Sequence, residues 1–209
     1  MPTRIKICGV RRAGDVHAAS RLGVEAVGLN FVPESPRYVG GIEAAKKLIA
    51  ASVAPDMQWA GVFVNPTMEQ VKKTTTALNL RIVQLHGEEL PAFVREVKQA
   101  LGVTVWKALR VSTAADLKVM DIFECDGFVV DAKVPGVRGG SGKTFDWNIL
   151  KDISRKAPLI LSGGLKPANV AAAIAAVSPD WVDVASGVES APGVKNAELI
   201  REFVLNARH

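Results

Sequence analysis

Cysteine is scarce in this chain, with two among 209 residues, Cys8 and Cys125. Two are too few for a disulfide framework, which excludes a small stapled fold and favours free thiols. Long apolar runs are missing too: none approaches the roughly 18 uncharged residues needed to cross a bilayer. The opening Met-Pro-Thr-Arg-Ile-Lys has no apolar stretch of the secretory kind. A cytoplasmic protein outside the membrane is expected. No low-complexity segment or linker interrupts the pattern, so residues 1–209 are expected to form one domain. The G-x-G-x-x-G turn of a dinucleotide site is absent, which argues against an open doubly wound sheet.

What is present suits a packed enzyme. Hydrophobic residues make up 48% and charged residues 22%, enough for a core at this length. The net charge is +5, but Arg11-Arg12, Lys46-Lys47 and Lys72-Lys73 are dispersed among acidic residues. They read as solvated helix faces rather than a nucleic-acid surface, while a mild positive bias suits a small anionic substrate.

Short β-rich runs alternate with helical stretches along the whole chain, the pattern of βα units around a parallel sheet. The predicted strands are Arg4–Cys8, Ala26–Phe31, Trp59–Phe63, Ile82–Leu85, Thr104–Leu109, Gly127–Asp131, Leu159–Ser162 and Trp181–Ala185. Helices are predicted near Ala13–Leu22, Gly41–Ala51, Thr67–Leu78, Pro91–Leu101, Ala114–Met120, Trp147–Ile153, Pro167–Ala176 and Ala197–Ala207, several with proline or threonine at their starts. Eight such pairs close an α/β fold into a single (β/α)8 TIM barrel.

In a barrel of this kind the C-terminal strand ends and the loops after them build the site. Cys8 ends the first strand, where a thiolate could serve as base or nucleophile; the alternative is a small buried apolar residue. Cys125 precedes the sixth strand, at the opposite rim. A five-residue strand spans roughly 16 Å and bridged Cα atoms lie within about 7 Å, so the two cannot pair. Lys6 shares the inward face with Cys8 and is either a Schiff-base lysine or, more in keeping with its depth, the partner of an inward carboxylate. Asp131 ends the apolar run Gly-Phe-Val-Val-Asp and is a candidate general acid, or else a cap or ion-pair partner.

The Gly-rich stretch from Ala132 to Thr144 resembles a phosphate cradle but has Val137 where a P-loop needs glycine, and reads better as a lid. Small residues at Ser162-Gly163-Gly164-Leu165 and Ala185-Ser186-Gly187-Val188-Glu189 would let backbone N–H groups approach a phosphate, with Gly163, Gly164, Ser186 and Gly187 as its binding residues. Arg37, in the proline-stiffened loop after the second strand, could hold a carboxylate bidentately. Gln84 and His86 add polar groups at the tip of the fourth strand.

Taken in order, Lys6-Ile7-Cys8-Gly9, Ser35-Pro36-Arg37, Gln84-Leu85-His86-Gly87, Asp131 with Gly139-Gly140-Ser141-Gly142, Ser162-Gly163-Gly164-Leu165 and Asp183-Val184-Ala185-Ser186-Gly187-Val188-Glu189 closely resemble the phosphoribosylanthranilate isomerase family of tryptophan biosynthesis. The resemblance covers nearly the whole chain. It implies a cofactor-free and metal-free Amadori rearrangement of N-(5-phosphoribosyl)anthranilate, with Asp131 as general acid and Cys8 as general base. It also implies Arg37 on the anthranilate carboxylate and the two glycine turns on the phosphate. Asp183 would be a further sugar contact. Such an acid/base pair needs a protonated Asp131 beside a Cys8 thiolate. The substrate would be a small molecule carrying a phosphate and a carboxylate, and the protein a monomer or homodimer that binds neither nucleic acid nor membrane.

One departure stands at Gly28-Leu29-Asn30-Phe31, where a more apolar stretch is expected; an Asn30 facing the mouth would alter the aromatic pocket. Two other readings stay open. Another phosphosugar barrel, such as an indole-3-glycerol-phosphate synthase, would need Lys107 or Lys6 as a strand-tip acid. A barrel kept as a partner subunit would give no reason for Cys8 and Asp131 to meet.

Overall fold

A computed structural model describes residues 2–131, 147–150 and 156–209. Eight strands, β1 (Arg4–Cys8), β2 (Ala26–Asn30), β3 (Gln58–Phe63), β4 (Ile82–Leu85), β5 (Thr104–Arg110), β6 (Gly127–Asp131), β7 (Leu159–Ser162) and β8 (Trp181–Val184), form a closed barrel in chain order. Every pairing in it is parallel, and the seam closes with Arg4 opposite Trp181 and Lys6 opposite Asp183.

Strand alternation explains the two cores. Ala26, Ala60, Ile82, Trp106, Ala108, Val129, Ile160 and Trp181 point inward and pack as one cluster, with Trp106 and Trp181 edge to face at 5.2 Å. Their neighbours along the strands, such as Ile5, Ile7, Phe128 and Val130, face outward into the larger core beneath the helices. Those helices are α1 (Ala13–Arg21), α2 (Ile42–Ala50), α3 (Met68–Leu78), α4 (Pro91–Leu101), α5 (Pro167–Val177) and α6 (Ala197–Arg208). Their starts follow the sequence: Thr67 and Gln70 close a reciprocal cap on α3, prolines open α4 and α5, and Asn196 caps α6.

Three segments depart from expectation. The helix predicted at 114–120 is a 3₁₀ helix, Ala114–Ile122, which buries only Leu117 and so has little apolar face to pack. Of the stretch predicted at 147–153, Trp147–Leu150 is 3₁₀; the remainder lies outside the described residues, as do Gly139, Gly140, Ser141, Gly142 and the rest of the loop read as a lid. After β8 comes a short antiparallel pair, β9 (Glu189–Ala191) and β10 (Val194–Lys195), too brief to show alternation in sequence. Its turn residue Gly193 has φ +76°, and a Cβ there would lie 2.2 Å from the Pro36 carbonyl oxygen, so the hairpin leans on the loop after β2. Among the described residues no helix is long and apolar enough to cross a membrane.

Candidate active site

The C-terminal strand ends frame a cavity of about 310 Å³. Cys8 from β1, Asn30 from β2, Arg37 from the next loop, Gln84 and His86 at β4, Asp131 from β6 and Asp183 from β8 all line it. So do Ser162 at the end of β7, Gly163 and Gly164 after it, and Ala185 and Ser186 after β8. Gly187 does not. It packs behind the rim, where a Cβ would fall 1.8 Å from the Leu165 carbonyl oxygen, so it lets the two glycine-bearing tips touch. Gly163 and Gly164 have φ of +82° and +66°, a turn that side chains disfavour.

Lys6 donates to Asp183 at 2.9 Å, and both are buried, at 0% and 4% exposure. This is the inward carboxylate partner anticipated for Lys6. Burial pulls the Lys6 ammonium down, but Asp183 and Cys8 outweigh it and hold it above its ordinary value. The two cysteines are free, and Cys125 sits buried at the far rim with its thiol donating to the Gly127 carbonyl.

The surroundings of Cys8 do not by themselves favour the thiolate that the acid/base pair needs. Burial pushes the thiol above its ordinary value; Lys6 pulls hardest the other way, Asp183 adds to the rise, and Lys195 opposes it. Burial likewise lowers His86, against the pull of Asp131 and Asp183, so its ring is neutral near pH 7. The Gln84 amide donates to His86 Nδ1 at 3.1 Å, which puts the ring proton on Nε2, 3.9 Å from Asp131 Oδ2. Among the described residues Gln84 Oε1, Asp131 Oδ1 and Asp183 Oδ1 are buried acceptors with no hydrogen-bond partner, a set that a ligand rich in hydroxyls can satisfy.

Arg37 brings a correction. Its Nε and Nη2 donate to Glu189 Oε1 and Oε2 at 2.8 and 2.7 Å, so one of the two edges with which the guanidinium could clamp a ligand bidentately is held by the protein's own carboxylate. The end-on edge, Nη1 with the second Nη2 hydrogen, remains. Glu189 also accepts from Lys195 at 2.8 Å, and Lys195 donates to the Ala185 carbonyl. Sequence reasoning missed both roles: Glu189 ended a quoted motif, but its partner Arg37 lies 152 positions away. Asn30 faces the mouth, yet it braces this loop, accepting from the Val32 N–H and donating to Ser35 Oγ.

Lys107 falls on the outward face of β5, where it donates to Glu89 and to the Leu85, Gly87 and Ala108 carbonyls. It does not line the cavity, which removes it as a strand-tip acid. A closed parallel barrel whose cavity, with several convergent polar groups, sits at the C-terminal strand ends is the layout of a β/α-barrel enzyme.

The comparisons with known proteins narrow that class. The family model described as N-(5′phosphoribosyl)anthranilate (PRA) isomerase matches residues 5–206, and the chain belongs to this family, whose members are isomerases of tryptophan biosynthesis. The isomerase of Myxococcus xanthus is 42% identical over 213 residues, covering 100% of this chain and 97% of that one. The Thermotoga maritima phosphoribosyl anthranilate isomerase superposes with a TM-score of 0.88 at 38% identity, over 98% of each chain. A second such structure, 35% identical with a TM-score of 0.83 and 98% coverage of both chains, is a complex with reduced 1-(o-carboxyphenylamino)-1-deoxyribulose 5-phosphate. These matches also set aside the partner-subunit reading.

Proposed function

We propose that the chain converts N-(5′-phosphoribosyl)anthranilate to 1-(2-carboxyphenylamino)-1-deoxyribulose 5-phosphate by general acid and base catalysis at Asp131 and Cys8. The observation that carries this is their placement at the ends of two strands, β6 and β1, around one cavity. Protonated Asp131 gives its proton to the furanose ring oxygen as the bond from that oxygen to C1′ breaks, leaving an iminium ion. The Cys8 thiolate then takes the C2′ proton, and the enolamine tautomerises to the ketone. The iminium is itself the electron sink, so the scheme uses no metal or redox cofactor.

Gln84, His86 and Asp183 face the sugar, where the unpartnered acceptors of Gln84 and Asp183 suit its hydroxyls. Gly163, Gly164 and Ser186 receive the phosphate on backbone N–H groups, with Gly187 allowing their close approach. Arg37 offers its end-on edge to the anthranilate carboxylate. All these groups belong to one chain, so a monomer or each half of a homodimer could work alone. Free Cys8 and Cys125 suit a reducing cytoplasm.

Adding the purified protein to phosphoribosylanthranilate should quench that substrate's fluorescence catalytically; no decay above the spontaneous rate would overturn the proposal. Arg37→Ala is expected to raise KM at least about tenfold, with a smaller change in kcat, because it removes a contact made before the chemistry. An unchanged KM removes Arg37 from the site. Gly187→Ala should force the two phosphate tips apart and weaken competitive inhibition by inorganic phosphate about tenfold, a loss of about 1.4 kcal/mol. Equal inhibition of parent and variant would place the phosphate elsewhere.

A further inference from the structure

Five charged side chains gather at the Cys8 end of the cavity, and the acid/base scheme gives three of them, Lys6, Lys195 and Glu189, no part. Lys6 shares the inward face of β1 with Cys8, and the two crowd the same stretch of backbone: a Cβ at Gly28 would meet Cys8 Sγ at 2.8 Å and Lys6 Cε at 3.2 Å. Asp183 holds Lys6 from β8. From the other side β10 brings Lys195, whose ammonium is anchored to the Ala185 carbonyl, at a tip that lines the cavity with Cys8. Glu189, on β9, joins Lys195 to Arg37 from the loop after β2.

Three cations share two carboxylates in this cluster. The Lys6–Asp183 pair is neutral, whereas Glu189 alone faces both Arg37 and Lys195. One positive charge is left unbalanced beside a thiol. His86 and Asp131 line the far side of the same cavity, with His86 neutral.

We propose that Lys195 and Glu189 are positioning residues for the base: with Lys6, Asp183 and Arg37 they form a charge cluster whose one excess positive charge is matched by the Cys8 thiolate. The inference rests on the reading of Cys8 as the base. It names what opposes burial at Cys8: burial favours the neutral thiol, and Lys6 and Lys195 pull toward the thiolate. Glu189 serves two ends. It lets two cations sit together by bonding both, and it leaves the sum positive rather than neutral. Burial works against its ionisation, but Arg37 and Lys195 outweigh that and keep it a carboxylate. Burial also lowers Lys195 below its ordinary value, with Glu189 and then Cys8 opposing it.

The test reads the thiolate itself, by ultraviolet absorbance against pH, in the full-length Cys125→Ser protein with matching Cys8→Ser proteins subtracted. Lys195→Met is expected to move the Cys8 midpoint upward by at least about half a unit, roughly threefold fewer thiolates below the midpoint. Glu189→Gln should move it downward by a similar amount. The double variant restores the sum to one excess positive charge and should return close to the parent, as should Lys195→Arg. Opposite signs distinguish electrostatics from structural damage, which would disturb both single variants alike.

An unmoved midpoint in Lys195→Met, or an upward shift in Glu189→Gln, overturns the proposal. If Lys195→Met does not fold, the direction of the Glu189→Gln shift decides it. If the midpoints move as expected while Cys8→Ser keeps its turnover, the cluster stands as a device that tunes a thiol and the assignment of Cys8 as base falls.

Discussion

Cys8→Ala and Asp131→Asn are each expected to keep the parent's fold and thermal stability within a small margin yet lose at least about a hundredfold in kcat, the usual cost of removing a general base or acid. The argument is geometric before it is electrostatic. Cys8 and Asp131 end β1 and β6 and line one cavity, so a sugar held between them meets a proton donor and a proton acceptor at once. The pH profile separates the two roles. Only the thiolate can take a proton, and burial places the Cys8 thiol above its ordinary value, so kcat/KM should climb with pH through the Cys8 midpoint. That ascending limb should vanish from the residual activity of Cys8→Ala. Near-parental turnover in either variant, by the fluorescence assay, would remove that residue from the chemistry.

Lys6→Met is the variant expected to lose most stability, about 3–5 kcal/mol, because it leaves Asp183 as an uncompensated charge in the barrel interior. Equilibrium unfolding in urea, with the slope unchanged, measures it. The sign with pH follows from the direction of the shift. Lys6 is held above its unfolded value, so its contribution is whole below that value and fades only as pH rises through the folded one. The gap between parent and Lys6→Met should therefore stay level across neutral pH and narrow in strong alkali. Adding Asp183→Asn should recover part of the loss, since a neutral amide needs no counter-charge. A penalty under about 1 kcal/mol, typical of an exposed pair, would show that the ion pair does not brace the barrel.

Strand ends were the most legible part of this chain. A period of two, glycines at the tips and proline at helix starts are local signals, and they put all eight barrel strands within a residue or two of their observed bounds. The same period put Lys6 and Cys8 on one face, which is why an inward carboxylate was expected for Lys6. That it would be Asp183, 177 positions away, depends on β8 closing onto β1. Glu189 escaped notice for the same reason: its partners Arg37 and Lys195 come from a distant loop and a two-residue strand. The raised Cys8 thiol was illegible because it is a balance between burial and neighbouring charges, and neither can be read until the barrel is closed.

The hairpin that leans on Pro36 ties two stretches of chain into one inheritable part. Loops after barrel strands are commonly treated as exchangeable, each free to vary without its neighbours. Here residues 35–37 and 189–195 share the Arg37–Glu189 fork and the Gly193 contact, so a graft of either alone would break the fork and the hairpin's footing together. Redesign of this mouth therefore calls for replacing the two stretches as a pair.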